Sequence, residues 1–504
     1  MTKTRISDLI RFGEWLPDQP ETNNRGAIDV NNVIVEGENY KPLKSFEELT
    51  NAVSTSTRVF GAFSFIDDSG NTENFAADQN ELYQQSGSSW VNVSKSSTES
   101  ETYNTASDGQ WRFASFGQRI IATNLADTIQ SFVVGTSTGF ADLSTSAPKA
   151  KDVTVLNNFL VGVHIDDGTI RPNRVQWSAL NDPTDWSTSA VTLSDFQDQE
   201  EQGGFNQRIV PTQNYGVIVR ENSIVRMEFI GAPGIFQFTT AEQNRGVKAL
   251  NSVVSDGILV YYLSENGFFA FDGTKSIPIG DTKVDRFILD KLDENNLHLV
   301  KAAVDPINKF IAWGYKDSEK SGNITDLVFY HWNENRWTKA EENLDLLETM
   351  GTVGKTLEQL DDESTSLDTL PFSLDSRVWQ GGKLSLAGFS TDRKLGFFGG
   401  TNKEATLESG EVSLNPGGNA FINSVLPVTD STSVTARIKS RINQFGSLSV
   451  SSSQSLNTAT NEMPFRVDSR YHRLEMTIPA SSTWELIQTK IVTGKQIMTR
   501  TDLS

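Results

Sequence analysis

The stretch RVQWSALNDPTDWS, Arg174 to Ser187, sets Trp177 and Trp186 on either side of a tight turn of Asn181, Asp182 and Pro183. Two indoles across a loop can stack on a sugar ring, or each can fasten its strand to a neighbour by burying a large apolar body. Other tryptophans repeat the position after hairpins: Trp90 in LYQQSGSSWVNVS, and Trp332 and Trp337 in VFYHWNENRWTKA. A sugar cradle is local to one site, whereas a tryptophan recurring at strand exits is a packing device. Trp90, Trp177, Trp186, Trp332 and Trp337 are therefore expected to be structural anchors.

The remaining residues with chemical potential are sparse. The chain has no cysteine, which excludes disulfides, thiolate metal sites and cysteine nucleophiles. His164, His298, His331 and His472 are far apart in sequence, so no metal-ligand spacing links them. The segment SDGQW, Ser107 to Trp111, is close to the Asp-box turn of sialidase-type propellers but one residue short, and it occurs once. Glycoside hydrolysis needs two carboxylates at a fixed separation, which 64 acidic residues do not single out by themselves. Asp67-Asp68 and Asp166-Asp167 lack calcium-loop spacing and sit where hairpin turns favour aspartate. No phosphate loop, serine elbow or zinc helix is present. No catalytic, cofactor-binding or metal residue is assigned, and no cofactor or enzymatic activity is expected. Arg437, Lys439 and Arg441 alternate in VTARIKSRI and so share one strand face. That ridge could face DNA, an acidic neighbouring subunit or solvent, with subunit contact the preferred reading.

The elements that would position these groups are mostly strands. Apolar runs such as FLVGVHI (159–165), YGVIVRE (215–221), GILVYYL (257–263) and KFIAWGY (309–315) are short and rich in β-branched or aromatic types. Several are apolar at consecutive positions, as in strands covered on both faces. Asn266-Gly267 and Asp272-Gly273 are hairpin-turn pairs. Innermost-looking runs start near 59, 119, 159, 215, 257, 309 and 383, which suits a β-propeller of six or seven blades over residues 58–400, with a multi-sheet sandwich as the alternative. KVDRFILDKLDENNLHLV (283–300) predicts a short helix capped by Asp285, with Phe287, Ile288 and Leu292 inward. Residues 1–57 read as an extended N-terminal arm, 357–377 as an acidic strap, and 401–504 as a C-terminal β domain. The N-terminus has no apolar leader and no run is long enough to span a bilayer, so a soluble protein made in the cytosol is expected. With 44 basic against 64 acidic residues the net charge is −20, a balance that disfavours gripping a polyanion.

The order of motifs resembles the tail nozzle proteins of short-tailed bacteriophages, also described as tail hub or packaged-DNA stabilisation proteins. The segments are WLPDQPETNNRGAIDVNNVIVEGENYKPL (15–43), NRVQWSALNDPTDW (173–186), ENGFFAFDGTKSIPIGDTKVDRF (265–287) and AAVDPINKFIAWGY (302–315). LDTLPFSLDSRVWQGGKLSLAGF (367–389) and FRVDSRYHRLEMTIPASSTW (465–484) follow in the same order, and the final TKIVTGKQIMTRTDLS lies outside the resemblance. The resemblance implies a virion structural protein without an active site, located in the virion tail and in the host cytoplasm during assembly. It implies a homo-hexameric ring below the portal and adaptor proteins that retains the genome until ejection. Tail fibres or tailspikes would attach around it, and genomic DNA would pass without sequence-specific binding. The alternative is a propeller lectin or glycosidase acting on host surface glycans.

Overall fold

The computed structural model describes residues 5–22, 24–54, 57–95, 103–354, 379, 381–488 and 490–497. The acidic strap at 357–377 falls outside them. The protein is mainly β and is divided among many small antiparallel sheets. Five consecutive sheets are each a four-stranded meander of sequence neighbours. Their first strands are Gly61–Ile66, Arg112–Phe116, Lys149–Leu156, Asn206–Pro211 and Val254–Ser255. A sixth meander runs from Lys301–Asp305 through Phe310–Tyr315 and Ile324–His331 to the long strand Arg336–Gly351.

The long strand then changes partners. Beyond a register shift at Leu344/Leu346, its second half pairs with Leu384–Ser390, which pairs with Lys394–Asn402, which pairs with Lys44–Ala52. This seventh sheet is therefore completed by a strand from the first tenth of the chain. The first strands of successive sheets lie alongside one another, and the second half of Arg336–Gly351 lies against both Lys301–Asp305 and Gly61–Ile66.

This arrangement corrects the strand order read from the sequence. The apolar runs at 119, 159, 215, 257 and 309 are second strands, not innermost ones. Gly216–Arg220, Val260–Ser264 and Phe310–Tyr315 are buried at every position because neighbouring sheets cover both of their faces. The true first strands carry Arg112, Asp152, Arg208 and Lys301, and these charges break up their apolar pattern.

The N-terminal residues, expected as an extended arm, pair as strands with one another and with distant parts of the chain. Arg5–Arg11 pairs with Lys490–Ile497, Val33–Glu36 pairs with Asn39–Pro42, and Ala27–Asn31 lies between Arg336–Gly351 and Ala405–Ser409. Strands distant in sequence satisfy their backbone groups here, a pairing that local pattern does not encode. Beyond residue 401, Ala405–Ser409, Tyr471–Ile478 and Thr435–Arg441 form one ladder, and Ala420–Leu426 with Met463–Ser469 belongs to another. Ile422, Val425, Met463 and Phe465 share a core cluster with Ile438, Leu474 and Met476.

The helix spans Asp285–Lys291, with Ile288 buried and Leu292 buried just beyond it. Its cap is not Asp285. The Asp18 carboxylate accepts from the backbone N–H groups of Arg286 (2.9 Å) and Phe287 (2.8 Å), so the N-terminal segment caps a helix on the far side of the sequence. Asp285 is instead buried and accepts from Phe268 N at 3.1 Å. That explains Gly267 and Gly280: a Cβ at either would sit 2.1 or 2.0 Å from the Asp285 carboxyl group. The Ser264–Gly267 pairing leaves Glu265 and Asn266 in the loop, so Gly267, at φ +122°, opens the next strand against that carboxylate and is not a central residue of the turn.

Candidate functional site

The first strands of the sheets converge on a cavity of about 460 Å³. Phe63, Arg112, Asp152, Arg208, Lys301 and Glu348 line it, one from each of six strands. An adjoining space of about 300 Å³ shares Arg208, Lys301 and Glu348 and adds Asn251, which precedes the fifth sheet. Strand alternation puts every second side chain of a first strand on the cavity side, which is how charge reaches the middle of a β body.

The charges are arranged in specific contacts. Arg208 Nε lies 2.6 Å from Asp152 Oδ2, which also accepts from Ile209 N at 3.0 Å. Lys301 Nζ lies 2.7 Å from Glu348 Oε2. Arg112 donates to Asn251 Oδ1, and Asn251 Nδ2 donates to His298 O at 2.7 Å. Arg112, Asp152 and Lys301 are all buried. Burial, followed by the like charge of Arg208, pulls the Arg112 guanidinium down to about 9. Lys301 is also lowered, by burial first and then by Arg112 and Arg208, with Glu348 opposing. These are strut-like contacts between sheets. Asp152 and Glu348 are each engaged by a cation.

Of the residues singled out in the sequence, Trp111 borders the cavity and the others fall elsewhere. Trp177 and Trp186 are buried in two different clusters, Trp177 against Phe236 and Trp186 with Ile121, Leu143 and Ile165. Each indole N–H is satisfied by backbone, Trp177 by Leu193 O and Trp186 by Pro183 O, both at 2.9 Å. Trp337 is fully buried, donates to Ile279 O at 2.9 Å and stacks beside Trp313. Trp90 is half-buried and donates to Thr50 Oγ1 at 3.1 Å, reaching the strand that completes the seventh sheet. Trp332 packs against the largest core cluster.

Arg437, Lys439 and Arg441 lie on one strand face that also holds carboxylates of their own chain. Lys439 Nζ is 2.6 Å from Glu408 and 2.7 Å from Glu475, and Arg441 is 2.5 Å from Glu411. Arg437, 3.9 Å from Glu475, is the most exposed of the three. In SDGQW, Trp111 is buried and donates to Asp78 O at 3.0 Å, while Arg58 donates to Gly109 O at 3.1 Å. The acidic loops are closed turns: Asp67 accepts from Ser69 N and Asn71 N, and Asp166 from Gly168 N. No group of three or more histidine, aspartate or glutamate residues suited to a metal ion occurs among the described residues.

The cavity residues were missed because each run carries only one or two charges among strand-like neighbours. Their common signal is position: QWRFASF, AKDVTVL, NQRIVP and LVKAAVD each precede an apolar second strand.

No family model matches the chain, and no curated protein matches it. Among solved structures, the chain is similar to the computationally designed Ika8 protein at 7% identity and TM-score 0.38, covering 77% of this chain and 100% of that one. It is also similar to the extracellular domain of the putative one-component system BT4673 from B. thetaiotaomicron at 12% identity and TM-score 0.35. That match covers 61% of this chain and 39% of the other. No helix among the described residues is long and apolar enough to cross a membrane.

Proposed function

We propose that the chain is a tail nozzle subunit of a short-tailed bacteriophage, a non-enzymatic virion protein whose body is a seven-bladed β-propeller closed by the strand Lys44–Ala52. The observation that carries this reading is where the resembling segments meet. Trp15, Val30 and Tyr40 from the first segment share one core cluster with Phe268 and Val284 from the third. Ile311 and Trp313 from the fourth segment, and Leu474 and Trp484 from the last, belong to the same cluster. Asp18 and the helix it caps join the first and third segments directly. Four of the six segments, from both ends and the middle of the chain, thus make one packing unit, while the second lies in separate clusters.

In this reading DNA passes between subunits and not through a subunit's centre. A cavity of about 460 Å³ is the size of a small-molecule site and does not hold a double helix. Six copies around a common axis would leave a wider passage, and the net charge of −20 favours walls that do not hold the polyanion. Against the glycan-binding alternative stands the burial of Trp177 and Trp186 in separate clusters, so that these two indoles do not form a paired platform. Electron microscopy of the purified chain, alone and mixed with portal–adaptor complex, tests the proposal. Six-fold rings are expected in at least one condition, and monomers in both would refute it.

A further inference from the structure

The interior cavity carries an imbalance that the nozzle reading does not use. Three cations, Arg112, Arg208 and Lys301, face two carboxylates, Asp152 and Glu348. Asp152 is taken by Arg208 and Glu348 by Lys301. Arg112 has no carboxylate within ion-pair distance among the described residues, and it donates to the side-chain oxygen of Asn251. A guanidinium offers five N–H donors in a planar fork suited to oxyanions. Asn251 cannot turn away freely, because its nitrogen is held by His298 O. A protein with a net charge of −20 thus carries a locally positive cavity where its first strands converge.

We propose that this cavity is a binding site for a small phosphate-type oxyanion, held by Arg112 and Lys301 with Asn251 fixing the guanidinium. Its volume exceeds what one phosphate group needs, so the ligand is either free phosphate or the phosphate of a small monoester. Buried positive charge left uncompensated is costly, and a bound dianion offsets it through charge-assisted hydrogen bonds. The excess of cations separates this from a purely structural lock, in which every cation would be matched. The proposal does not depend on how subunits assemble.

The test is calorimetric titration of the full-length protein with inorganic phosphate and, separately, with a nucleoside 5′-monophosphate, at ionic strength held constant with sodium chloride. Saturable binding of at least one of them, near one per chain, is expected. Loss of charge-assisted bonds predicts that Arg112→Met weakens it about 10- to 100-fold, while Arg437→Met, on the distant ridge, leaves it unchanged. Lys301→Met provides a second variant if Arg112→Met does not fold. A structure determined in phosphate should show anion density between Arg112 and Lys301, which needs no variant. Absence of saturable heat from both ligands overturns the proposal, and so does undiminished binding in the folded cavity variants.

Discussion

Replacing Asp285 with asparagine should make the protein more stable at pH 8 and should flatten part of its pH dependence. The Asp285 carboxyl is enclosed by Gly267 and Gly280, and burial, with Asp18 and Asp281 nearby, pushes it up to about 7 from an ordinary 3.8. Because the folded-state value is raised, the fold holds the proton more tightly than the unfolded chain does. Its contribution to stability is complete below about pH 4, falls as the unfolded chain ionises, and is fully lost above about pH 7. A shift of this size corresponds to roughly 4 kcal/mol at 1.36 kcal/mol per unit. Asparagine keeps an acceptor for Phe268 N without the charge. Urea midpoints for the wild type and Asp285→Asn, followed by tryptophan fluorescence from pH 4.5 to 8.5, isolate this group. The variant's advantage should grow with pH and level off above about pH 7. An equal difference at every pH would refute the argument, because it would mean that Asp285 does not carry the buried charge.

Other outcomes follow from the same geometry. Trp337→Ala should cost about 3–5 kcal/mol by denaturant titration, since it empties a fully buried site and orphans Ile279 O. Asp18→Ala should cost about 1 kcal/mol through loss of the helix cap, measured the same way and raising exchange at the Arg286 and Phe287 amides. Asp152→Ala, which removes the carboxylate that half-buried Arg208 and Ile209 N share, should destabilise by about 1–3 kcal/mol, seen as a lower urea midpoint. His331 is held down to about 3 by burial, with Arg336 and Lys41 adding to it. Its contribution is present above about pH 6.5 and is lost as pH falls toward 3, so His331→Gln should reduce acid sensitivity in that window.

What the sequence disclosed and what it concealed divide along one physical line. Short β-branched and aromatic runs and Asp-rich turns depend on neighbours in the chain, and the strands at 159–166 and 310–315 and the turns at Asp67 and Asp166 lie where local chemistry puts them. The seventh sheet depends on Lys44–Ala52 finding Lys394–Asn402, a pairing set by long-range closure. Asp285 shows the same limit on a smaller scale: its position fits a helix cap, but the capping carboxylate comes from Asp18 and Asp285 is turned toward Phe268. The cavity was hidden for a related reason. A lone arginine in a strand is ordinarily solvated, and only the convergence of separate sheets turns Arg112 toward Arg208 and Lys301.

The most direct measurement of the central claim is a cryo-electron microscopy map of the assembled particle at a resolution that separates strands. The account predicts six subunits, seven small sheets in each body, and a DNA-wide passage between subunits with the interior cavity of each one closed to the duplex. A map with DNA threading the sheets of a single subunit, or with this chain absent from any ring, would contradict it.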